Sequence, residues 1–543
     1  MLSGAQAMVQ CLEKEGVSVV FGYPGAAICP FYDALLDSNV RHILVRQEQN
    51  AGHAASGYAR ASGKVGVCVV TSGPGATNLI TAIASAYMDS IPMVAITGQV
   101  RSDLLGRDVF QEADITGAVE PFIKQTYLVK DTNEIPRVFR EAFHIASTGR
   151  PGPVLIDIPV DIQTNLLAGE FLYPEKVDII GYKPKTMGNP LQIKRAVDLL
   201  REAKRPVMVA GGGVLMCHAE KALRAFAEKL NIPVVSTMMG IGVMPSRHRL
   251  YYGMLGTHGM KPANRAIHQA DVLVIIGARV GDRAVAAPGQ VSERSKIIHI
   301  DIDPAEIGKN LKTTVPLVCD AKNAIAAMSE QADFQCPQGW VDAVDNWRNQ
   351  YYEKLEEQES PAGFVDPRRF MQELSAMAAE NAILVADVGQ NQIWSANHYE
   401  IKKGKFLTSG GMGTMGYSLP AAEGAKVACP SKQVFAVCGD GSFQMQMMEL
   451  ATMVQHQIPV KIVIMRNGRL GMVRELQDKQ YDGRLSGIML DGSPDFITLA
   501  SAYGIQGRSI SENGDIRQAI ADMLVCNGPY VLECVVSPVQ PSL

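Results

Sequence analysis

The residues best placed to do chemistry are a carboxylate and an amide at the ends of two apolar runs. Gly439-Asp440-Gly441-Ser442 follows the apolar run 433–438 and precedes a helical pattern, which puts small residues at a strand's carboxyl end facing a helix start, where phosphates bind. The glycines let backbone N–H groups approach an anion, and Asp440 adds a hard oxygen of the kind magnesium prefers. Asn467 stands just beyond the next apolar run, 461–465, so both oxygens could meet at neighbouring strand ends. Taken alone, the same residues also read as two unrelated turns, Gly-Asp-Gly and Asn-Gly. A second carboxylate, Glu48, opens a helical pattern that runs to about Ala61. The helix dipole favours an acid there, so its plain reading is a capping group. Gly211-Gly212-Gly213, Gly277-Ala278-Arg279 and Asp301-Ile302-Asp303 each follow an apolar run, and three such strand ends would converge on one ligand edge. They lack the Gly-x-Gly-x-x-Gly spacing and its downstream acid, and Gly-rich strand ends are commonly turns.

Such groups need strands that end together. The β-rich runs 17–21, 42–45, 65–71, 92–97 and 154–158 alternate with helical patterns, a rhythm that implies βα units and a mostly parallel sheet. A polar stretch with Pro and Gly, 166–190, interrupts the rhythm before it resumes at 205–210, 271–276 and 296–300. Residues 331–366 turn polar and aromatic, as a helix with a linker would. A third block carries apolar runs at 382–387, 433–438, 460–465 and 530–536. The expected fold class is therefore α/β, with three doubly wound parallel-sheet domains at 1–165, 190–330 and 365–543. The first and third blocks share a rhythm that suits related folds.

Composition removes other classes. At 543 residues the chain exceeds one hydrophobic core, while 47% hydrophobic and 20% charged residues are globular values. A net charge of −4 without a dense basic run excludes a nucleic-acid partner. No stretch approaches the roughly 18 to 20 apolar residues of a membrane span, and the charges within residues 1–13 do not suit a signal segment. No membrane association and a cytoplasmic location are the expectation. The ten cysteines are scattered without metal-ligand spacing and read as reduced structural thiols.

Further motifs sit at strand ends or helix entrances: Gly22-Tyr23-Pro24-Gly25, Thr71-Ser72-Gly73-Pro74-Gly75-Ala76-Thr77-Asn78, Phe110-Gln111-Glu112, Gly149-Arg150-Pro151-Gly152-Pro153 and Gly410-Gly411-Met412-Gly413-Thr414-Met415-Gly416. Together with Glu48, Asp440 and Asn467, the set resembles the acetolactate (acetohydroxyacid) synthase family of thiamine-diphosphate enzymes over nearly the full length. The resemblance implies that Asp440, Asn467 and the carbonyl of Arg469 hold Mg2+. It implies that Glu48, tuned by buried apolar surroundings, favours the imino tautomer of the cofactor's aminopyrimidine ring. Tyr23, Pro24, Gly25, Pro74, Asn78, Gly389, Gln390, Gly413, Met415, Gly441, Ser442, Gly471, Met472 and Val473 would complete the thiamine diphosphate site, Gly413 through its carbonyl and Met415 as a wedge that bends the cofactor. FAD, in a role without net redox change, would lie against Arg150, Gly211, Gly212, Thr237, Leu255, His258, Gly277, Arg279, Arg283, Asp301, Ile302 and Asp320. Phe110, Gln111, Arg283, Met472 and Leu476 would face substrate. The implied reaction decarboxylates pyruvate and joins the two-carbon unit to a second 2-keto acid; pyruvate as acceptor gives 2-acetolactate. The implied assembly is at least a homodimer, with a tetramer common and a small regulatory subunit left open.

The chain departs from the family pattern where the acceptor is chosen. Leu476 stands where biosynthetic relatives usually have Trp, Val160 replaces a Lys, Thr257 a Met and Gln47 a His, while Val280-Gly281-Asp282-Arg283 replaces Phe-Asp-Asp-Arg. Arg466 occupies the place of a second asparagine before Asn467. Pyruvate is the expected acceptor. Alternatives on the same architecture are a 2-keto-acid decarboxylase or a pyruvate oxidase, told apart by acetaldehyde or acetyl phosphate as product, and a non-catalytic binding subunit.

Overall fold

The computed structural model describes residues 1–356 and 361–543. The apolar runs form three six-stranded sheets in which every pairing is parallel. The first holds β1 (Val19–Tyr23), β2 (Arg41–Leu44), β3 (Gly66–Val70), β4 (Met93–Gln99), β5 (Gln125–Leu128) and β6 (Pro153–Pro159), in the order β2-β1-β3-β4-β6-β5. The second holds β7 (Pro206–Ala210), β8 (Val234–Ser236), β9 (Tyr251–Met254), β10 (Val272–Ile276), β11 (Lys296–Asp301) and β12 (Val315–Val318), in the order β12-β11-β10-β7-β8-β9. The third holds β13 (Ile383–Ala386), β14 (Lys405–Thr408), β15 (Val434–Gly439), β16 (Lys461–Arg466), β17 (Gln506–Ile510) and β18 (Tyr530–Val535), in the order β14-β13-β15-β16-β18-β17.

Counted within their own sheets, the first and third orders are the same, which accounts for their shared rhythm. The middle sheet instead reverses between β7 and β10, the order of dinucleotide-binding folds. Parallel strands require crossover helices on both faces, so central strands such as β3, β7 and β10 are buried throughout and read as continuous apolar runs.

One hydrophobic core is shared by the first and third sheets. Its centre is the crossing of the helices Glu48–Ser62 and Ser418–Ala428, where Ala51, Ala54 and Ala55 pack with Ala421, Ala422 and Ala425. The helices touch backbone to backbone: a Cβ on Gly57 would lie 1.9 Å from the Ala421 carbonyl oxygen, and one on Gly424 would lie 1.8 Å from that of Ala54. The polar aromatic segment after the middle sheet contains the helix Gln338–Glu356, whose Trp340 donates its indole N–H to the Pro206 carbonyl at 3.1 Å. The centre of the expected linker, 357–360, lies outside the described residues. Among the described residues no helix is long and apolar enough to cross a membrane, and all ten cysteines are free.

Candidate active site

β15 and β16 lie side by side with Gly439 opposite Met465, so Asp440 and Asn467 leave the third sheet at adjacent strand ends. Asp440 opens the helix Asp440–Gln446 and is 2% exposed; its carboxylate accepts the Gly441 N–H at 3.1 Å and the Gly468 N–H at 2.7 Å. Burial pushes this carboxyl up to about 6 despite those bonds. Arg466, at the place where the family often has a second asparagine, turns to Glu533 at 2.7 Å and acts on Asp440 only as a nearby charge; among the described residues no salt bridge reaches Asp440. Asn467 accepts the Arg469 N–H at 3.1 Å and donates to Gln390 at 3.0 Å. Among the described residues no group of three or more His, Cys, Asp or Glu side chains could hold a metal. A buried carboxylate and a neighbouring amide oxygen are hard donors of the kind that suit magnesium, and they leave most of its coordination to other oxygens.

The rest of the crevice is built at the switch between β13 and β15. Gly389, at φ 140°, caps the helix Gln390–His398, and the Asn391 amide bridges the carbonyls of Asp387 (2.8 Å) and Val437 (3.2 Å). Two buried acids hold the Gly-rich segment from opposite sides. Asp387 accepts the N–H groups of Gly416 and Ser418, and Asp89, from the first domain, accepts those of Gly410 and Gly411. The Gly413 φ of 69° suits glycine, and the Met415 methyl lies 3.6 Å from where a Cβ on Gly441 would stand. Ser442 caps its own turn through Gly439. The helix Gly471–Gln480 presents Met472, Val473 and Leu476 beside this crevice; Leu476 is 47% exposed. Sequence reasoning missed Asp89, Asp387 and Asn391. An acid ending the predicted run 382–387 was the available signal for Asp387.

In the first domain the predicted residues gather at the ends of β1, β3 and β4. Glu48 is the first residue of its helix, and its Oε2 accepts the Asn78 amide at 2.9 Å. Pro74 opens the short helix Pro74–Asn78, and Gly25 abuts Thr71 so closely that a Cβ would lie 2.5 Å away. Gln111 packs on Gly73 with φ 60°, strained backbone of the kind found at functional sites, whereas Phe110 is 86% exposed. Within one chain Glu48 is half-buried, while Asn50 and Ala51 in the same turn are buried. Among the described residues no hydrogen bond or ion pair joins it to Asp440 or Asn467.

Of the twelve residues expected around FAD, most follow strands of the middle sheet at its carboxyl edge, while Arg150 comes from the first domain. Gly211 and Gly277 follow β7 and β10, at the reversal of strand order where dinucleotides bind. Thr237, Leu255, Asp301, Ile302 and Asp320 follow or end the other strands, while Asn397 donates to the His258 carbonyl at 2.9 Å. Part of the glycine content has a simpler cause, since a Cβ on Gly211 would lie 2.1 Å from the Gly277 carbonyl oxygen. Asp320 caps the helix Ala321–Gln331. Arg150 bridges Asp303 and Glu306 at 3.2 and 2.8 Å, and desolvation followed by the nearby Arg150 charge lowers the Arg279 guanidinium. Two neighbouring guanidiniums at a switch point fit the phosphates of a dinucleotide. Arg283 is 79% exposed on its side chain, and Val280 before it takes φ 49°.

Three domain families match the chain in order: the N-terminal TPP binding domain of thiamine pyrophosphate enzymes over residues 2–118, their central domain over 193–328, and their C-terminal TPP binding domain over 387–534. Fold and site thus define a thiamine pyrophosphate enzyme. The chain is 46% identical to a probable acetolactate synthase large subunit of Methanocaldococcus jannaschii, covering 99% of this chain and 93% of that protein. It is 45% identical to the acetolactate synthase large subunit of Corynebacterium glutamicum (98% and 87% covered) and 42% identical to acetolactate synthase isozyme 3 large subunit of Escherichia coli (96% and 92%). The chain belongs to the acetolactate synthase large-subunit family.

Proposed function

We propose that this protein is an acetolactate synthase that decarboxylates pyruvate and joins the two-carbon unit to a second 2-keto acid, mainly pyruvate, giving 2-acetolactate. The observation that carries the reading is Asp440, a buried carboxylate beside Asn467 with no salt bridge among the described residues, in a chain alike to acetolactate synthase large subunits along its whole length. Thiamine diphosphate, when bound, supplies a nucleophilic carbon and a sink for the electrons released with carbon dioxide.

The chain's own residues orient and protect that chemistry. Asp440, Asn467 and the Arg469 carbonyl would hold Mg2+, while N–H groups near Gly389, Gly441 and Gly471 would meet the diphosphate. Gly413 would accept the cofactor's amino group, and Met415 would keep the two rings bent together. Glu48 would hold a proton at the pyrimidine ring, supported by the Asn78 amide. The half-buried position of Glu48 in one chain, and the lack, among the described residues, of a hydrogen bond or ion pair to Asp440, favour a site completed by a second copy, so a homodimer is the minimum assembly. Relatives named large subunits also make a small regulatory partner a fitting expectation. Gln111 and Arg283 would face the reacting acids, and the small side chain of Leu476 leaves pyruvate the preferred acceptor. The middle domain would hold FAD through Arg150, Arg279 and the Gly211–Gly277 edge.

Product analysis with pyruvate alone and with added 2-ketobutyrate, with and without FAD, tests all of this. Acetolactate is expected from yellow protein. Acetaldehyde or acetyl phosphate as main product would refute the synthase reading, and colourless protein that gains no activity with FAD would refute the flavin.

A further inference from the structure

Gln390 sits behind the metal ligand Asn467 and makes three hydrogen bonds that leave it one orientation. Its Nε2 donates to the Glu475 carboxylate at 2.6 Å and to the Gln540 carbonyl at 2.7 Å. Both partners only accept, so the amide nitrogen must face them and Oε1 must face the other way. There it accepts the Asn467 Nδ2 at 3.0 Å, which turns the Asn467 oxygen toward the Arg469 N–H and the open side of the crevice. The same Glu475 oxygen accepts the backbone N–H of Ser542 at 2.7 Å and its hydroxyl at 2.9 Å. Trp394 fastens the intervening residue by donating to the Pro541 carbonyl at 2.9 Å.

Space for this contact is kept by one glycine. A Cβ on Gly471 would lie 1.9 Å from Gln390 Oε1 and 2.7 Å from Asn467 Nδ2, so no larger residue allows the two amides to meet. Gln390, Gln540 and Ser542 are all buried, so water does not compete for these bonds.

We infer that Glu475 and the segment Gln540–Ser542 are positioning residues for Mg2+, setting the direction of the Asn467 oxygen through Gln390. The inference rests on the reading of Asp440 and Asn467 as metal ligands. It assigns to the end of the chain a part in metal affinity, and it ties that affinity to the helix that also carries Leu476. Partners that orient a metal ligand commonly contribute ten- to a hundred-fold in affinity.

Calorimetric titration of Mg2+ into metal-free protein containing thiamine diphosphate tests it. Glu475→Ala is expected to weaken Mg2+ binding by about ten-fold or more, and Glu475→Gln, which keeps an accepting oxygen, by clearly less. Ser542→Ala, which removes the hydroxyl and keeps the backbone N–H bond to Glu475, is expected to cost about three-fold. Hydrogen exchange at the Ser542 amide should slow when Mg2+ and thiamine diphosphate are added, a response that a purely structural bond would not give. Unchanged Mg2+ affinity in both Glu475→Ala and Ser542→Ala, with metal-independent exchange at Ser542, would overturn the relay while leaving the site intact. Should the unsubstituted protein take up no Mg2+, or Asp440→Asn bind it as well as the parent does, the site reading itself falls and the relay with it.

Discussion

The crossing of Glu48–Ser62 with Ser418–Ala428 fixes where Glu48 stands, and it can be perturbed by a single methyl group. In Gly424→Ala the new Cβ would be 1.8 Å from the Ala54 carbonyl oxygen, a backbone atom that cannot rotate away. Restoring ordinary contact at about 3.5 Å requires the helices to part by roughly 1.7 Å. Overpacking of this kind costs about 1–3 kcal/mol, a fall of roughly 2–12 °C in thermal midpoint for a domain of 150–250 residues. Gly339→Ala is the control: it is also a helical glycine, yet a Cβ there meets nothing within 4 Å. Helix propensity makes that change neutral or stabilising by up to about 1 kcal/mol. The assay is the thermal midpoint at a fixed scan rate, since large multidomain chains unfold irreversibly, together with the rate of acetolactate formation. Gly424→Ala should lower both, because the separation shifts the helix bearing Glu48 relative to the third domain. A Gly424→Ala protein as stable and active as the Gly339→Ala control would refute the argument that backbone contact at this seam sets the site.

Glu48→Gln should reduce the turnover rate by about a hundred-fold or more while thiamine diphosphate still binds, measured by initial rates beside calorimetry; equal turnover would remove the proposed proton role. Leu476→Trp should raise the share of 2-ketobutyrate-derived product in a competition assay, and an unchanged product ratio would show that this position does not select the acceptor. Asp157, buried on β6 and bonded to Thr97 and Gln99, has its carboxyl pushed up to about 7 by burial. Its unfolded value is about 3.9, so between these values the folded chain keeps a proton that the unfolded chain has released. The resulting stability is full below about pH 4 and is lost as pH rises through 7. Asp157→Asn should therefore show a flatter fall in denaturation midpoint between about pH 4 and 7 than the parent, and parallel profiles would refute the assignment.

Much of this protein was legible in residue order. Buried parallel strands are long apolar runs, so β3, β4, β7, β10, β15 and β16 stand out without any fold in hand. The residues at the ends of those strands, Asp440, Asn467, Gly211 and Gly277, were found by the same token. The strands missed, β5, β8, β9, β12, β14 and β17, lie toward the sheet edges and are short or partly exposed, so their composition does not separate them from loops.

Order along the chain does not state which strands are neighbours. The reversal between β7 and β10 exists only in the assembled sheet, and it brings the Gly-rich turns after these two strands together at a switch point. The same holds for polar groups from distant segments. Asp89 meets Gly411 and Ser542 meets Glu475 because folding buries them together, where an unpaired polar atom is costly and each must find a partner. Sequence thus singled out Asp440, Asn467 and Glu48 by residue type and place at strand ends and a helix start. Tertiary structure decided what holds those groups in place, since domain packing brings the Glu48 helix to a small-residue seam and leaves Glu48 half-buried, with no hydrogen bond or ion pair to Asp440 or Asn467 among the described residues.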